Sequence, residues 1–175
     1  VLDNRHYNDF NHESTAFFYL FECEDDPDAA AELFQNGFDW ARARGLKQIL
    51  GPKGFTPLDG FGLLVKGFEY PPAFGLPYNP GYYVTLIEAQ GFQPARDAVS
   101  GYLDESINFP PRIHELAERI TARRGLRIAR YETRADLRKL VPLLKDLYND
   151  ALRGTAGNAP VTDEEMHALA DQLLW

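Results

Sequence analysis

One cysteine, Cys23, leaves no room for an internal disulfide framework or a cysteine-based zinc cluster. That usage fits a reducing compartment, so a cytoplasmic location is expected. Apolar runs are short, and none approaches the ~20 residues that span a bilayer. Positive charge is scarce: 18 Lys and Arg stand against 26 Asp and Glu, a formal net charge of −8. Duplex nucleic acid and anionic membranes attract the opposite balance, so neither is an expected partner. The basic stretches at residues 42–47 and 119–130 read as helix ends or linkers. No nucleophile elbow, Walker loop or dinucleotide fingerprint is present. His6 and His12 share no metal-ligating spacing with Cys23, and no metal is expected. His114 and His167 lie on amphipathic segments and read as facing water. The chain starts without Met or a leader pattern and stops on the apolar face of a helical segment, which predicts a piece of something longer.

Large apolar side chains, by contrast, are plentiful. Hydrophobic residues make up 45% of the 175, with 12 Phe and 9 Tyr, ample for a packed core. Residues 1–13 are polar and read as a loop or strand tail. The aromatic run at residues 15–23 predicts a strand buried on both faces. Asp26, Pro27 and Asp28 then open a helix as cap, first-turn proline and dipole partner. Its apolar face is read as Leu33, Phe34, Gly37, Phe38, Trp40 and Ala41, and it stops at Arg44 and Gly45.

Residues 47–50 predict a short strand, followed by a turn-rich loop and a proline-stiffened aromatic loop. Asn79 predicts the cap of a helix running to Gln90, with Pro80 in its first turn. Residues 92–103 predict one or two strands, and residues 112–124 an amphipathic helix carrying Ile113, Leu116, Ala117 and Ile120 on one face. Alternation at residues 126–131 predicts a strand. Thr133 or Asp136 opens a helix through Tyr148, and a Thr162/Glu165 capping box starts the last one. Strands alternate with helices, so the class is α/β in the broad sense (α+β). The leucines at 137, 140, 144, 147, 169 and 173 form stripes that need cover, from residues 1–105 folding back or from another chain.

Residues 51–103 carry specific text: Gly51-Pro52, Gly62-Leu63-Leu64-Val65-Lys66-Gly67-Phe68, Pro71-Pro72, Tyr78-Asn79-Pro80-Gly81-Tyr82-Tyr83 and Leu86-Ile87-Glu88-Ala89-Gln90-Gly91-Phe92, then Asp97 and Tyr102. With the stretches at 21–26 and 40–45, this resembles a bacterial group of tandem GNAT-like proteins of the acyl-CoA N-acyltransferase superfamily. The resemblance covers roughly residues 1–105. It implies a mixed sheet flanked by helices, divided as the C-terminal portion of one GNAT-like unit (1–108), a linker helix (109–125) and the N-terminal portion of a second unit (126–175). It further implies N-acetyltransferase chemistry, from acetyl-CoA to a small-molecule amine. The alternative is a non-catalytic structural or dimerisation module, either a homodimer or a support for the missing remainder.

The same resemblance places the coenzyme by position on Cys23, Asp26, Asp28, Ala29, Ala30 and Asn79. Such a loop needs glycines and a helix N-terminus so that backbone N–H groups reach a diphosphate. Here Asp25 stands where Arg or Gln is expected and Asp28 where Gly is expected, and only Ala30 conforms. At ~6 Å and an effective dielectric of ~20, each added like charge costs on the order of 2–3 kcal/mol. The coenzyme site therefore reads as degraded, with a plain helix cap as the simpler account of these acids. The family's thiolate-protonating tyrosine would fall at Ile87, which has no proton to give. Tyr83, one turn earlier, is the substitute acid or else a packing residue. Glu22 and Glu24 are candidate bases on one side of the expected strand, or simply a solvated strand end. An aromatic pocket of Tyr70, Phe74, Tyr78, Tyr82 and Tyr83 for an apolar or sugar-like ligand is a further reading.

Overall fold

The computed structural model describes residues 1–55, 59–73, 75–101, 108–125, 129–154 and 158–173. Within them the order is β1 (Leu2–Asp3), α1 (Arg5–Asn11), β2 (Thr15–Phe17), α2 (Pro27–Arg42), β3 (Gln48–Leu50), α3 (Tyr82–Glu88), α4 (Pro111–Arg124), α5 (Arg134–Arg138), α6 (Val141–Ala151) and α7 (Asp163–Leu173). This is a mixed α/β arrangement around one small sheet of order β1-β2-β3. β1 runs antiparallel to β2, pairing Leu2 with Phe17, and β3 runs parallel to it, pairing Ala16 with Ile49.

β2 is the central strand, and all three of its residues are buried. Its polar member, Thr15, is fully satisfied. The Asn8 side chain accepts from its N–H at 2.9 Å and donates to its carbonyl at 2.9 Å, acting as a substitute strand. The Thr15 hydroxyl donates to Glu13 and accepts from Gln48 Nε2. Asn8 sits on α1, where a loop or strand tail was expected. Asn4 Oδ1 caps that helix by accepting from the Tyr7 N–H at 3.0 Å. Tyr7 anchors it edge-on against Phe17, with centroids 4.9 Å apart.

The long strand expected over residues 15–23 is only three residues. Leu20 adopts φ +53°, a left-handed conformation that breaks an extended run. The pairing strand β3 stops at Leu50, and Pro52, where the next N–H of the ladder would come, has none to give. The last links are Phe18 N–H to the Leu50 carbonyl and Lys53 N–H to the Phe18 carbonyl. Gly51 passes so close to this junction that an added Cβ would collide with the Phe18 carbonyl oxygen and ring. Gly51→Ala is therefore expected to lower stability by about 1–3 kcal/mol, read from urea unfolding; an unchanged midpoint would show that the junction is slack.

α2 opens as expected: the Asp26 carboxylate accepts from Asp28 N–H at 2.9 Å and Ala29 N–H at 3.2 Å, with Pro27 in the first turn. It buries Ala30, Phe34, Gly37 and Ala41. Leu33, expected on that face, is exposed, because one step along a helix rotates a side chain by ~100°. Phe18, Phe34, Tyr83 and Ile87 form the main core, with Phe21, Phe38, Ile49, Leu63, Tyr82 and Phe92 packed against it.

α3 starts at Tyr82 rather than Pro80, and Asn79 does not cap it. Instead the buried Asn79 amide pins the preceding loop: Oδ1 accepts from Leu64 N–H at 2.7 Å, and Nδ2 donates to the Leu64 and Pro80 carbonyls. Residues 92–101 form no strand, and the remainder of the strand expected to 103 lies outside the described residues; of that expected at 126–131, the first three residues lie outside them and residues 129–131 form no strand. The single helix expected from Thr133 is two, α5 and α6, because Pro142 cannot donate back across the junction.

α6 and α7 pack over Val141, Val161 and Met166. Asn149 clamps the Val161 backbone through both its amide atoms, and the Thr162/Glu165 box closes in both directions, at 3.2 and 2.8 Å. This pair touches the first half at α1. His6 Nε2 lies 2.8 Å from the Pro160 carbonyl oxygen, and Asn11 Nδ2 donates to Asn158. Of the expected leucine stripe, Leu169 packs into the pair, while Leu137, Leu144 and Leu147 remain exposed.

Candidate functional site

The site forms where the chain between β2 and α2 crosses the start of α3. Two adjacent tyrosines hold it. The Tyr82 hydroxyl donates to the Cys23 carbonyl at 3.0 Å, and the Cys23 N–H donates to the Tyr83 hydroxyl at 3.2 Å. Phe21 packs edge-on against Tyr83, with centroids 4.8 Å apart, and stacks on Phe34. Residues 21–23 are thus positioned by aromatic packing on one side and by hydrogen bonds on the other.

Tyr83 is only 4% exposed. Its hydroxyl donates to Glu22 Oε2 at 2.8 Å. Burial raises its pKa above the ordinary tyrosine value; the Cys23 N–H pulls the other way, and the bond to Glu22 and its charge raise it further. Tyr83 therefore stays protonated at neutral pH and acts as the donor of the pair. Glu22 is exposed, so one oxygen is held by Tyr83 and the rest of the carboxylate faces water. The Tyr82 pKa is also raised, by desolvation first and then by the charges of Asp25, Cys23, Glu22 and Glu24. The carboxylates of that set, Glu22, Glu24 and Asp25, make an anionic turn at the entrance to α2.

Of the residues singled out in the sequence, the structure joins Glu22, Cys23 and Tyr83. Glu24 lies in the same turn, exposed, but not on a strand edge shared with Glu22, because the chain there is irregular. Asp26 is spent on the first turn of α2, so two backbone N–H groups that a phosphate would need already have a carboxylate. Asp28 is exposed, Ala29 half-buried and Ala30 fully buried beneath the helix. Asn79 belongs to the loop that Leu64 crosses. Ile87 is core. The sequence places Tyr82 in the motif at 78–83 and in an aromatic pocket but gives it no anchoring role; the adjacent Tyr-Tyr pair is the signal for its place as the second anchor of Cys23. The other pocket members disperse: Tyr70 and Tyr78 are exposed on their loop, Tyr78 donating to the Phe68 carbonyl, and Phe74 lies outside the described residues. A cleft of about 260 Å³ lies at the opposite, C-terminal end of α2, lined by Phe38, Arg42, Lys47, Ile49 and Phe92. No group of His, Cys, Asp and Glu among the described residues is placed to hold a metal.

Fold and site together define a mixed α/β protein whose distinctive chemistry is a tyrosine-held carboxylate on an acidic turn. The chain is similar to bacterial ceramide synthase of Caulobacter vibrioides (strain NA1000 / CB15N), 33% identical over 164 residues, which are 89% of this chain and 40% of that protein. It is also similar to protein YghO of Escherichia coli (strain K12), 25% identical over 162 residues, 92% of this chain and 41% of that one. The chain thus spans about two-fifths of the length of these curated relatives. No family model matches it, and no solved structure matches it.

These relatives overturn the resemblance to tandem GNAT-like acetyltransferases. They are named ceramide synthase and YghO, no acyltransferase family model matches, and the sheet has three strands with helices around it. The local text that carried the resemblance lies mostly in loops and at the ends of α3. Transfer from acetyl-CoA to an amine falls with it, and the alternative of a non-catalytic dimerisation module gains no support. The relatives' species are consistent with the expected bacterial origin.

Proposed function

We propose that this chain is part of a ceramide synthase-like protein, and that the Glu22–Tyr83 pair receives the amino group of a long-chain amino alcohol. A ceramide is the fatty amide of such an amino alcohol, so its formation needs a neutral amine at an activated acyl carbon. At neutral pH an alkylamine is an ammonium ion, with a pKa near 10. The observation that carries the reading is the 2.8 Å bond from the Tyr83 hydroxyl to one oxygen of an exposed Glu22. That bond fixes the carboxylate while leaving it free to accept a proton. Glu24, Asp25 and Asp28 add negative charge around it.

In the proposed step the ammonium gives one proton to Glu22. The nitrogen lone pair then attacks the acyl carbonyl carbon of an activated fatty acyl donor. The C–N bond forms, the bond to the donor's leaving group breaks, and that group departs with the electron pair, taking up the second proton that the nitrogen loses as it becomes an amide. The same charge that draws in an ammonium repels a diphosphate, so the anionic turn is read as the amine side of the reaction.

Binding of a long-chain amino alcohol, followed by intrinsic fluorescence of the 175-residue chain, tests this. The cationic lipid is expected to bind at least about tenfold more tightly at pH 7 than the same lipid acylated on nitrogen, a difference of about 1.4 kcal/mol. Equal affinity for the neutral amide would remove the amine site.

A further inference from the structure

Helix α4 buries none of its 14 residues. At 1.5 Å per residue it is a rod of about 21 Å. Ile113, Leu116, Ala117 and Ile120 recur at i, i+3, i+4 and i+7 and line one face. The three large members are 48%, 44% and 39% exposed, an apolar stripe open along the helix.

Charge on α4 is sorted around that stripe. Arg112, Arg119 and Arg123, at i, i+7 and i+11, run along one border, and Arg124, seven residues after Ala117, closes the C-terminal end of the stripe itself. Glu115 and Glu118 fall on the opposite face, while His114 and Thr121 lie along the other border. Four arginines less two glutamates leave a local charge of +2 in a chain of net −8. Among the described residues, no ion pair engages these arginines.

We infer that α4 lies along the surface of an anionic lipid bilayer, its stripe in the headgroup–acyl boundary and its bordering guanidinium groups at phosphate level. Arginine stems can lie on apolar surface while their heads reach the phosphates. A second copy of this face fits less well, since a two-fold contact would set arginine borders against each other with no carboxylate on that face to pair them. The net acidity of the chain does not oppose this docking, because screening confines charge interactions to about 10 Å at 0.1 M salt. Nor is spanning required: no described helix is long and apolar enough to cross a membrane. The inference stands on α4 alone and does not rest on the amine site.

Co-sedimentation of the 175-residue chain with vesicles tests it, using phosphatidylcholine alone or with about one third phosphatidylglycerol. Binding is expected to be at least about tenfold tighter to the anionic vesicles and to fall steeply with salt. Leu116→Asp/Ile120→Asp and Arg119→Glu/Arg123→Glu should each lose about tenfold or more, with circular dichroism unchanged, since no α4 side chain is buried. Equal binding to both vesicles, no binding to either, or a dimer in light scattering that the same variants abolish would each overturn the assignment.

Discussion

Glu22→Gln is expected to lower the rate of amide formation roughly 100- to 10,000-fold, the usual span for loss of a positioned acid or base. Glutamine keeps the shape and can still accept from the Tyr83 hydroxyl, but it cannot take a proton from an ammonium. The pH profile separates this from simple damage. As pH rises toward about 10 the amine deprotonates by itself, so the deficit of the variant should shrink with pH. A deficit that stays constant from pH 6 to about 9.5 would remove Glu22 from the base role. Tyr83→Phe should cost less, about tenfold, because Glu22 remains but loses the bond that orients it. It also leaves the Cys23 N–H without its acceptor, which should cost about 1–2 kcal/mol of stability. Tyr83 is held above its ordinary pKa by burial and then by Glu22, so no loss of its proton is expected near neutrality.

Phe34→Ala should cost about 3–5 kcal/mol, the largest stability effect expected in the chain. Phe34 meets Phe18, Phe21 and Phe92 at centroid distances of 5.3, 5.2 and 5.2 Å, and Phe38 at 6.1 Å. Removing the ring opens a cavity at the meeting point of α2, the sheet and residues 21–23. Against a typical domain stability of about 5–15 kcal/mol, that loss unfolds a sizeable fraction of molecules at the lower end of the range. The site should go with it, since Phe21 bridges Phe34 to Tyr83. Urea unfolding followed by tryptophan fluorescence reads the loss; a cost below about 1 kcal/mol would mean that these rings do not carry the core. The more conservative Phe34→Leu should recover most of the stability, because it refills most of the volume.

The two predictions share a cause. Glu22 lies in no helix or strand, and its position depends on a tyrosine of α3 far away in sequence. Tyr83 is 61 residues from Glu22, and Tyr82 is 59 from Cys23. Core repair and site repair are therefore expected to be coupled, as they are for residues with shared partners.

Local chemistry made several elements readable from the amino acids alone. Asp26 with Pro27 marks the start of α2, Thr162 with Glu165 that of α7, and the stripe of Ile113, Leu116 and Ile120 predicts α4. In each case a residue within four positions satisfies the backbone or sets the face, so no distant information was needed. Net acidity and the single cysteine were likewise plain in the sequence. Tertiary structure decided the rest, because the deciding partners lie far along the chain. Residues 15–23 look like a long strand until Leu20 turns left-handed and Pro52 ends the neighbouring ladder. Asn79 looks like a cap until Leu64 offers it both a donor and an acceptor. Glu22 looks like any solvated acid until the start of α3 brings Tyr83 against it, and periodicity within a short window carries no trace of that pairing.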